Sequence, residues 1–291
     1  MPRSELSIAD AVRATRPVDG VTLWLLGNAG ALLVDASGRR IAIDPWTSSW
    51  LETASVANPE PVVRQRGARL RSEELAELVD AVLVTHEHPD HLDPGLADAL
   101  TEAGVPVVLP RGSLPAARAC GYPVSALRPV DVGEPLDVAG FDVVAVAAAH
   151  AFAGQGYGSY TEWVDETGAH RAVGFVVRVG GRVLFHSGDT VMWPGLAEEL
   201  RAAHVDTCLL PINGRDWLRE ERGLVGNLTA RESADLAAAC GAEVLIPVHF
   251  DGVVGNTGSP GELVDYASTA YPQLSVVLPG RAGVHLPQRP R

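Results

Sequence analysis

The chain has 291 residues, of which 46% are hydrophobic and 20% are charged. This apolar fraction excludes an intrinsically disordered chain, and the length suffices for one large domain. The formal net charge of −13 argues against binding to nucleic acids and anionic membranes, which an acidic surface repels. All 23 basic residues are arginine, so mechanisms that need a lysine amine, such as a Schiff base, are excluded.

Three cysteines, Cys120, Cys208 and Cys240, are widely spaced in apolar stretches and form no C-x-x-C motif. We therefore expect buried thiols rather than a disulfide framework or a cysteine zinc site. Residues 1–19 lack the apolar segment of a signal peptide, and no apolar run reaches the ~18–20 residues that span a bilayer. These features predict a cytoplasmic protein without a membrane partner.

The first half of the chain alternates short apolar strands with capped helices. The predicted strands are Val21–Leu26, Ala31–Val34, Arg40–Asp44, Ala81–Thr85 and Pro106–Leu109. Helices are predicted from Ser72 to Asp80 and from Asp93 to Ala103, where proline follows the capping aspartate. The connection over residues 46–71 is long, and loops of this length usually cover a site or are mobile.

The second half of the chain is richer in strands. The predicted strands are Phe141–Ala149, Ala172–Val179, Arg182–His186, Thr207–Pro211, Glu243–Pro247 and Leu274–Leu278. The pair Gly180-Gly181 predicts a tight hairpin turn. Helices are predicted near residues 196–203 and, from the capping signals at Thr229 and Ser259, up to Cys240 and Ala270.

Each half of the chain thus begins with antiparallel hairpins and continues as strand–helix alternation. Two mixed β-sheets packed face to face, with helices on their outer faces, satisfy this pattern. The predicted fold class is α/β (α+β), a four-layer αββα sandwich. No low-complexity linker divides the sequence, so we expect a single domain over residues 1–291.

One short segment, residues 85–93, concentrates residues that bind metals. Residues two apart in an extended chain point the same way, so His86 and His88 can offer imidazoles to one point. After the following turn, Asp90 and His91 can face a second point nearby. Imidazole with carboxylate suits zinc, and manganese accepts the same ligands. A solvated loop would not need three imidazoles, so the segment predicts a metal centre.

A binuclear site needs further ligands from other strand ends at the same edge of the sheets. Three residues fit, because each follows an apolar strand: His150, Asp189 and His249. Alone, each would be interpreted as a surface or turn residue. Beside the first segment, they complete a predicted ligand set.

The ordered set His86-x-His88-x-Asp90-His91, His150, Asp189 and His249 resembles the metallo-β-lactamase-fold hydrolases. Asp44 is similar to the first motif of that superfamily, which supports the ligands rather than binding metal. Three stretches resemble the L-ascorbate-6-phosphate lactonase-like branch. They are Trp24-Leu25-Leu26-Gly27, His186-Ser187-Gly188-Asp189, and Pro211-Ile212-Asn213-Gly214-Arg215-Asp216 followed by Asn227-Leu228-Thr229.

The resemblance implies two divalent ions, Zn²⁺ or Mn²⁺, and a role for each ligand. His86, His88 and His150 would hold one ion. Asp90, His91 and His249 would hold the other, and Asp189 would bridge the two. Paired ions of this kind generate a hydroxide nucleophile from water at neutral pH. Asp90 is the expected catalytic residue, since it would orient the hydroxide and pass a proton to the leaving group.

Supporting and substrate-binding residues are predicted from their positions at strand ends. His186 is expected to orient the carboxylate of Asp189. The alternative is that it is simply the last residue of the predicted hairpin. Asn213 and Arg215 are expected to contact substrate, with Arg215 as a two-pronged donor to phosphate or carboxylate. The alternative for Arg215 is a surface ion pair with Asp216 or Glu220.

The predicted function is a binuclear metal-dependent hydrolase acting on a small lactone, such as a phosphorylated sugar lactone. The alternative is a phosphodiesterase acting on a small or lipid phosphodiester with the same metal site. A di-iron oxidoreductase is a third hypothesis, but flavin-linked members usually carry a carboxylate where His88 stands. A non-enzymatic member is disfavoured by the full ligand set. The expected partner is a small-molecule substrate. Loops 46–71 and 151–171 are expected to shape its pocket. The sequence is also compatible with a homo-oligomer.

Overall fold

The computed structural model describes residues 7–56, 61–151, 160, 163–280 and 282–289, and within them the strands form two sheets of seven. The strands are β1 (Val21–Gly27), β2 (Gly30–Asp35), β3 (Arg40–Ile43), β4 (Ala81–Leu83), β5 (Val107–Pro110), β6 (Leu127–Val130), β7 (Pro135–Val138), β8 (Phe141–Ala147), β9 (Val173–Val179), β10 (Arg182–His186), β11 (Thr207–Pro211), β12 (Val244–Val248), β13 (Ser275–Val276) and β14 (Val284–Leu286). The helices are α1 (Ile8–Ala14), α2 (Trp50–Ser55), α3 (Ser72–Leu78), α4 (Ala97–Ala103), α5 (Leu114–Ala119), α6 (Leu196–Ala202), α7 (Trp217–Glu221), α8 (Ala230–Cys240) and α9 (Pro260–Ala270).

Both sheets are mixed and follow the same plan. The first has the order β14-β1-β2-β3-β4-β5-β6, antiparallel from β14 to β3 and parallel from β3 to β6. The second has the order β13-β12-β11-β10-β9-β8-β7, antiparallel from β7 to β10 and parallel from β10 to β13. Strand β8 runs in the same direction as β10, because each is antiparallel to β9. The carboxyl ends of β8, β10 and β12 therefore lie at one edge of the second sheet.

Among the described residues, three large buried apolar clusters pack between the layers of the molecule. Leu32 of β2 packs under the helices that cover the first sheet, whereas the next residue, Leu33, packs between the two sheets. Likewise, Phe175 of β9 lies between the sheets and Val176 packs with residues of α6, α8 and α9. Consecutive strand residues point to opposite faces, so each sheet is covered on both sides. The predicted four-layer αββα sandwich is confirmed.

The turn and capping signals of the sequence have the expected local structure. Gly180 and Gly181 have φ values of 57° and 74°, the left-handed conformation that a type I′ hairpin turn requires. Thr229 accepts the Glu232 N–H at 3.2 Å, and the Glu232 carboxylate accepts the Thr229 N–H at 2.9 Å.

Several short elements are present that the sequence analysis does not predict. They are α1, α2, α5, α7, β6, β7 and β14. Helix α2 lies within the connection over residues 46–71, of which residues 57–60 are outside the described part. Residues 152–159, 161 and 162 of the predicted pocket loop 151–171 also lie outside the described part. In the described part, every helix is too short or too polar to cross a lipid bilayer.

Candidate metal centre

The predicted ligands lie at the rim where the two sheets meet. His86 and its neighbours follow β4 of the first sheet, and three ligands follow strands of the second, namely His150 after β8, Asp189 after β10 and His249 after β12. Backbone contacts join the two edges, because Thr85 accepts the Val173 N–H at 2.9 Å and His86 bridges to Ala172. The fold therefore brings together side chains that are more than 160 residues apart in sequence.

Three imidazoles converge at one side of the rim. The Nδ1 atom of His88 lies 3.0 Å from Nε2 of His86 and 3.0 Å from Nε2 of His150. The rings of His86 and His150 are fully buried. Burial lowers the pKa of all three imidazoles, that of His150 to about 3. They are thus neutral at ordinary pH, which is the form that binds a cation.

Two carboxylates and two imidazoles form the other side. The Nε2 atom of His249 lies 3.4 Å from both Asp90 Oδ2 and Asp189 Oδ2. The Nε2 atom of His91 lies 3.7 Å from Asp90 Oδ2 and 3.4 Å from Asp189 Oδ1. Asp189 also lies 4.0 Å from Nε2 of His150, so its carboxylate stands between the two groups of imidazoles.

The charges of this second group are mutually dependent. Burial alone would raise the pKa of Asp90 and Asp189, but His91 and His249 outweigh it and lower both. Burial would likewise lower the pKa of the two imidazoles, yet the facing carboxylates raise both. Both carboxylates are therefore ionised. A bound cation would replace the imidazole protons as the partner of these carboxylates.

Buried polar atoms without hydrogen-bond partners indicate whether the two groups of side chains fit divalent ions. Among the described residues, His91 Nε2, Asp189 Oδ1 and His249 Nε2 are buried without a hydrogen-bond partner. Buried polar atoms of this kind are rare and call for a ligand. The ligand atoms of three groups lie within 4.8 Å of one another: His86, His88 and His150; His86, His91 and Asp189; Asp90, His91 and His249. Zn–N and Zn–O bonds of about 2.0–2.2 Å place neighbouring ligand atoms at such separations, so the residues fit divalent ions.

Asp44 supports the ligands through hydrogen bonds. Its Oδ2 atom accepts the hydroxyl of Thr85 at 2.6 Å and lies 2.8 Å from Nδ1 of His91. The Nδ1 hydrogen of His91 therefore points to Asp44, which leaves Nε2 to face the centre. Asp44 and His249 have φ values of 48° and 55°, a left-handed conformation that few non-glycine residues adopt and that often occurs at functional sites.

Asn28 is a site residue that the sequence analysis misses. It lies in the tight turn between β1 and β2, with φ of 50°. Its Nδ2 atom donates to Asp90 Oδ2 at 3.1 Å, and its carbonyl accepts the His249 N–H at 2.8 Å. An asparagine between glycine and alanine in a tight turn is the available sequence signal, and it does not by itself indicate a contact with Asp90.

His186 occupies a different position from the one predicted. Its Nε2 atom donates to the carbonyl of Ala29 at 2.8 Å, and its Nδ1 atom accepts the Gly188 N–H at 3.1 Å. Neither ring nitrogen contacts the carboxylate of Asp189. His186 therefore positions the backbone that leads to Asp189, rather than the side chain itself.

The two predicted substrate contacts are occupied within the protein. The Asn213 amide is buried, donates to Asn256 at 3.0 Å and accepts from Asn227 at 3.1 Å. The guanidinium of Arg215 forms a two-pronged ion pair with Glu232 at 2.7 and 2.6 Å. These partners satisfy both polar ends of Asn213 and the paired donors of Arg215 within the protein, and substrate contact by either residue stays a prediction.

Comparisons with known proteins agree with this geometry. A family model described as the beta-lactamase superfamily domain matches residues 39–250. An Escherichia coli protein named "Probable L-ascorbate-6-phosphate lactonase UlaG" is 23% identical over 257 residues, which cover 79% of this chain and 69% of that protein.

Solved structures share the fold at lower identity. Igni18, a metallo hydrolase from the archaeon Ignicoccus hospitalis, is 19% identical with a TM-score of 0.65, covering 91% of this chain and 97% of that one. An isothiocyanate hydrolase from Delia radicum gut bacteria is 17% identical with a TM-score of 0.68, covering 91% and 99%. The resemblance inferred from the motifs is confirmed, and the chain belongs to the beta-lactamase superfamily as a metal-dependent hydrolase of the metallo-β-lactamase fold.

Proposed function

We propose that this protein is a binuclear hydrolase that opens a small lactone, an internal ester. The observation that carries the proposal is the convergence of two buried ligand groups around the Asp189 carboxylate. The similarity to a protein named as an L-ascorbate-6-phosphate lactonase supports a lactone as the substrate class. The net charge of −13 disfavours long nucleic acids as substrates.

Each ion would have its own ligands. We assign His86, His88 and His150 to one ion, and Asp90, His91 and His249 to the other, with Asp189 between them. Neutral imidazoles with few carboxylates suit Zn²⁺, and Mn²⁺ accepts the same set. When bound, such ions lower the pKa of water and polarise the ester carbonyl.

Asp90 is the residue proposed to move the proton. Its lowered pKa keeps it ionised, and the Asn28 amide holds its Oδ2 atom at 3.1 Å. In this position it can accept a proton from the attacking water and return it to the alkoxide that leaves the ring. The net reaction adds one water molecule across the ester bond and yields a hydroxy acid.

Metal analysis combined with an activity panel tests the proposal. The purified protein, with its metal content measured, would be assayed on a set of small lactones and on bis-p-nitrophenyl phosphate. We expect about two ions per chain and turnover of at least one lactone. Turnover of the phosphodiester without any lactone would instead favour the phosphodiesterase alternative.

The variant Asp189→Ala tests the bridging assignment. It should lose both bound metal and turnover, because the carboxylate faces imidazoles of both groups. Asp98→Ala, on the exposed face of α4, is the matched control and should retain both. Full metal content and activity in Asp189→Ala would refute the assignment.

A further inference from the structure

A cleft with a volume of about 430 Å³ is lined in part by Asn28, which contacts the proposed ligand Asp90. We call it the arginine cleft and define it by Leu25, Asn28, Arg66, Arg69, Phe250 and Asp251. Its volume is within the range of small-molecule sites, about 300–1,000 Å³. None of its six residues is among the proposed metal ligands, so the cleft is separate from the centre.

Two residues connect the cleft to the centre. Asn28 lines the cleft and also donates to Asp90 Oδ2. Asp251 comes two residues after His249, and its Oδ1 atom accepts the Asn28 N–H at 3.2 Å. A molecule in the cleft would therefore lie next to the residue that holds the proposed proton carrier.

The lining combines cationic groups with apolar surface. The Nη1 atom of Arg66 lies 3.1 Å from Asp251 Oδ2, while 69% of the Arg66 side chain is exposed. Arg69 is held by the carbonyls of Leu25, at 2.6 Å, and Gly280, at 3.2 Å. Phe250, which is partly buried, contributes apolar surface. Two guanidinium groups beside one carboxylate are notable on a chain with a net charge of −13.

We propose that the arginine cleft binds an oxyanion, a phosphate or carboxylate substituent of the substrate. Guanidinium groups recognise both anions through charge-assisted hydrogen bonds, and Asp251 keeps Arg66 directed along the cleft wall. Identifying this anion as part of the substrate rests on the proposed hydrolase function. The cleft would then select acidic lactones and place their ester bond at the metal centre.

A set of three lactones with the same ring tests the selection. One carries a phosphate, one a carboxylate and one a neutral group, and the metal-loaded enzyme is assayed on each. We expect higher kcat/KM for an acidic lactone, and the better of the two identifies the anion. Arg66→Gln and Arg69→Gln should each lower the acidic-to-neutral ratio of kcat/KM about tenfold.

Control variants separate recognition from general damage. Arg118→Gln removes an exposed arginine on the outer helix α5 and should leave the ratio unchanged. Arg66→Lys keeps the charge but loses the planar fork, so it should restore part of the ratio. An unchanged ratio in both Arg66→Gln and Arg69→Gln would overturn the cleft proposal while leaving the hydrolase proposal intact.

A binding measurement decides the question if no lactone is turned over. Phenyl phosphate is titrated into the metal-loaded wild type and variants by calorimetry. Arg66→Gln and Arg69→Gln should weaken its binding about tenfold relative to Arg118→Gln. This result would support anion binding in the cleft even if the lactonase proposal failed. Equal affinity in all proteins would place the anion elsewhere and overturn the proposal.

Discussion

The hydroxyl of Thr85 donates to Asp44 Oδ2 at 2.6 Å. Because this hydrogen is directed to Asp44, the Thr85 oxygen can accept one from Nδ1 of His86, which lies 3.1 Å away. The Nε2 atom of His86 is then left with a lone pair towards the centre. Asp44 thus sets the orientation of two imidazoles, His91 directly and His86 through Thr85.

The variant Thr85→Val should weaken metal binding. Valine keeps the β-branched shape but removes the hydroxyl that connects Asp44 to His86. We expect the affinity for the ions to fall about 10- to 100-fold, the usual effect of losing a group that orients a ligand. The measurement is competition with a chelator of known affinity. Thr85→Ser retains the hydroxyl and should behave as wild type, and equal affinities for the valine and serine variants would contradict this role.

The variant Asn28→Gly should slow turnover with little change in metal content. Glycine adopts the φ of 50° found here but lacks the amide that donates to Asp90. Asp90 would lose its fixed orientation, so kcat should fall about tenfold or more. Metal analysis and steady-state kinetics on the same sample check this. Ala139→Gly, at a turn residue with φ of 52°, controls for added backbone freedom and should leave kcat unaltered.

The sequence was most informative where structure and chemistry depend on near neighbours. Hairpin turns, helix caps and strands each depend on residues within a few positions of one another. The order of these elements in each half of the sequence therefore predicted the four layers correctly. The spacing of His86, His88, Asp90 and His91 is local in the same way. Their convergence with His150, Asp189 and His249 could be predicted because each of these three residues follows a strand that ends at the same rim of the sheets.

The contacts that the sequence did not predict involve partners that are distant in sequence. Arg215 pairs with Glu232, 17 positions away, although Asp216 is adjacent. His186 donates to Ala29, 157 positions away, and such a contact has no sequence signal. Helices of five or six residues, such as α2 and α7, are too short for an apolar period to be recognised.

The variant Gly188→Ala should destabilise the protein and disturb the centre. Gly188 has φ of 58°, and an added Cβ would lie 2.5 Å from Cβ and Oγ1 of Thr85. Thr85 is fully buried, so the clash cannot be relieved without moving it away from Asp44. We expect a loss of about 1–3 kcal/mol in the free energy of unfolding beyond backbone strain.

Gly104→Ala isolates the strain from the clash. Gly104 has φ of 68°, and an added Cβ there meets nothing within 4 Å. Urea denaturation of both variants gives the difference in stability, and a chelator competition reports on the centre. If Gly188→Ala were no less stable than Gly104→Ala, the close packing of Gly188 against Thr85 would not hold in solution.

The ion pair of Arg215 with Glu232 predicts a pH-dependent contribution to stability. Burial raises the pKa of Glu232, but hydrogen bonds from Arg215 and the Thr229 N–H outweigh it and lower the pKa below the ordinary 4.5. A carboxylate with a lowered pKa in the folded state stabilises that state above pH 4.5, and the contribution is lost as the pH falls towards the folded pKa. Glu232→Gln removes the charge while glutamine can still complete the capping box.

Glu232→Gln should therefore be less stable than wild type at about pH 7, and the difference should shrink at about pH 3.5. Urea denaturation at both values measures it, with Glu221→Gln, at an exposed residue of α7, as the control. A difference that stays constant between these pH values would mean that the carboxylate charge does not stabilise the fold. Retained KM in Glu232→Gln would agree with Arg215 acting within the protein, since a substrate contact would be disturbed when its partner loses charge.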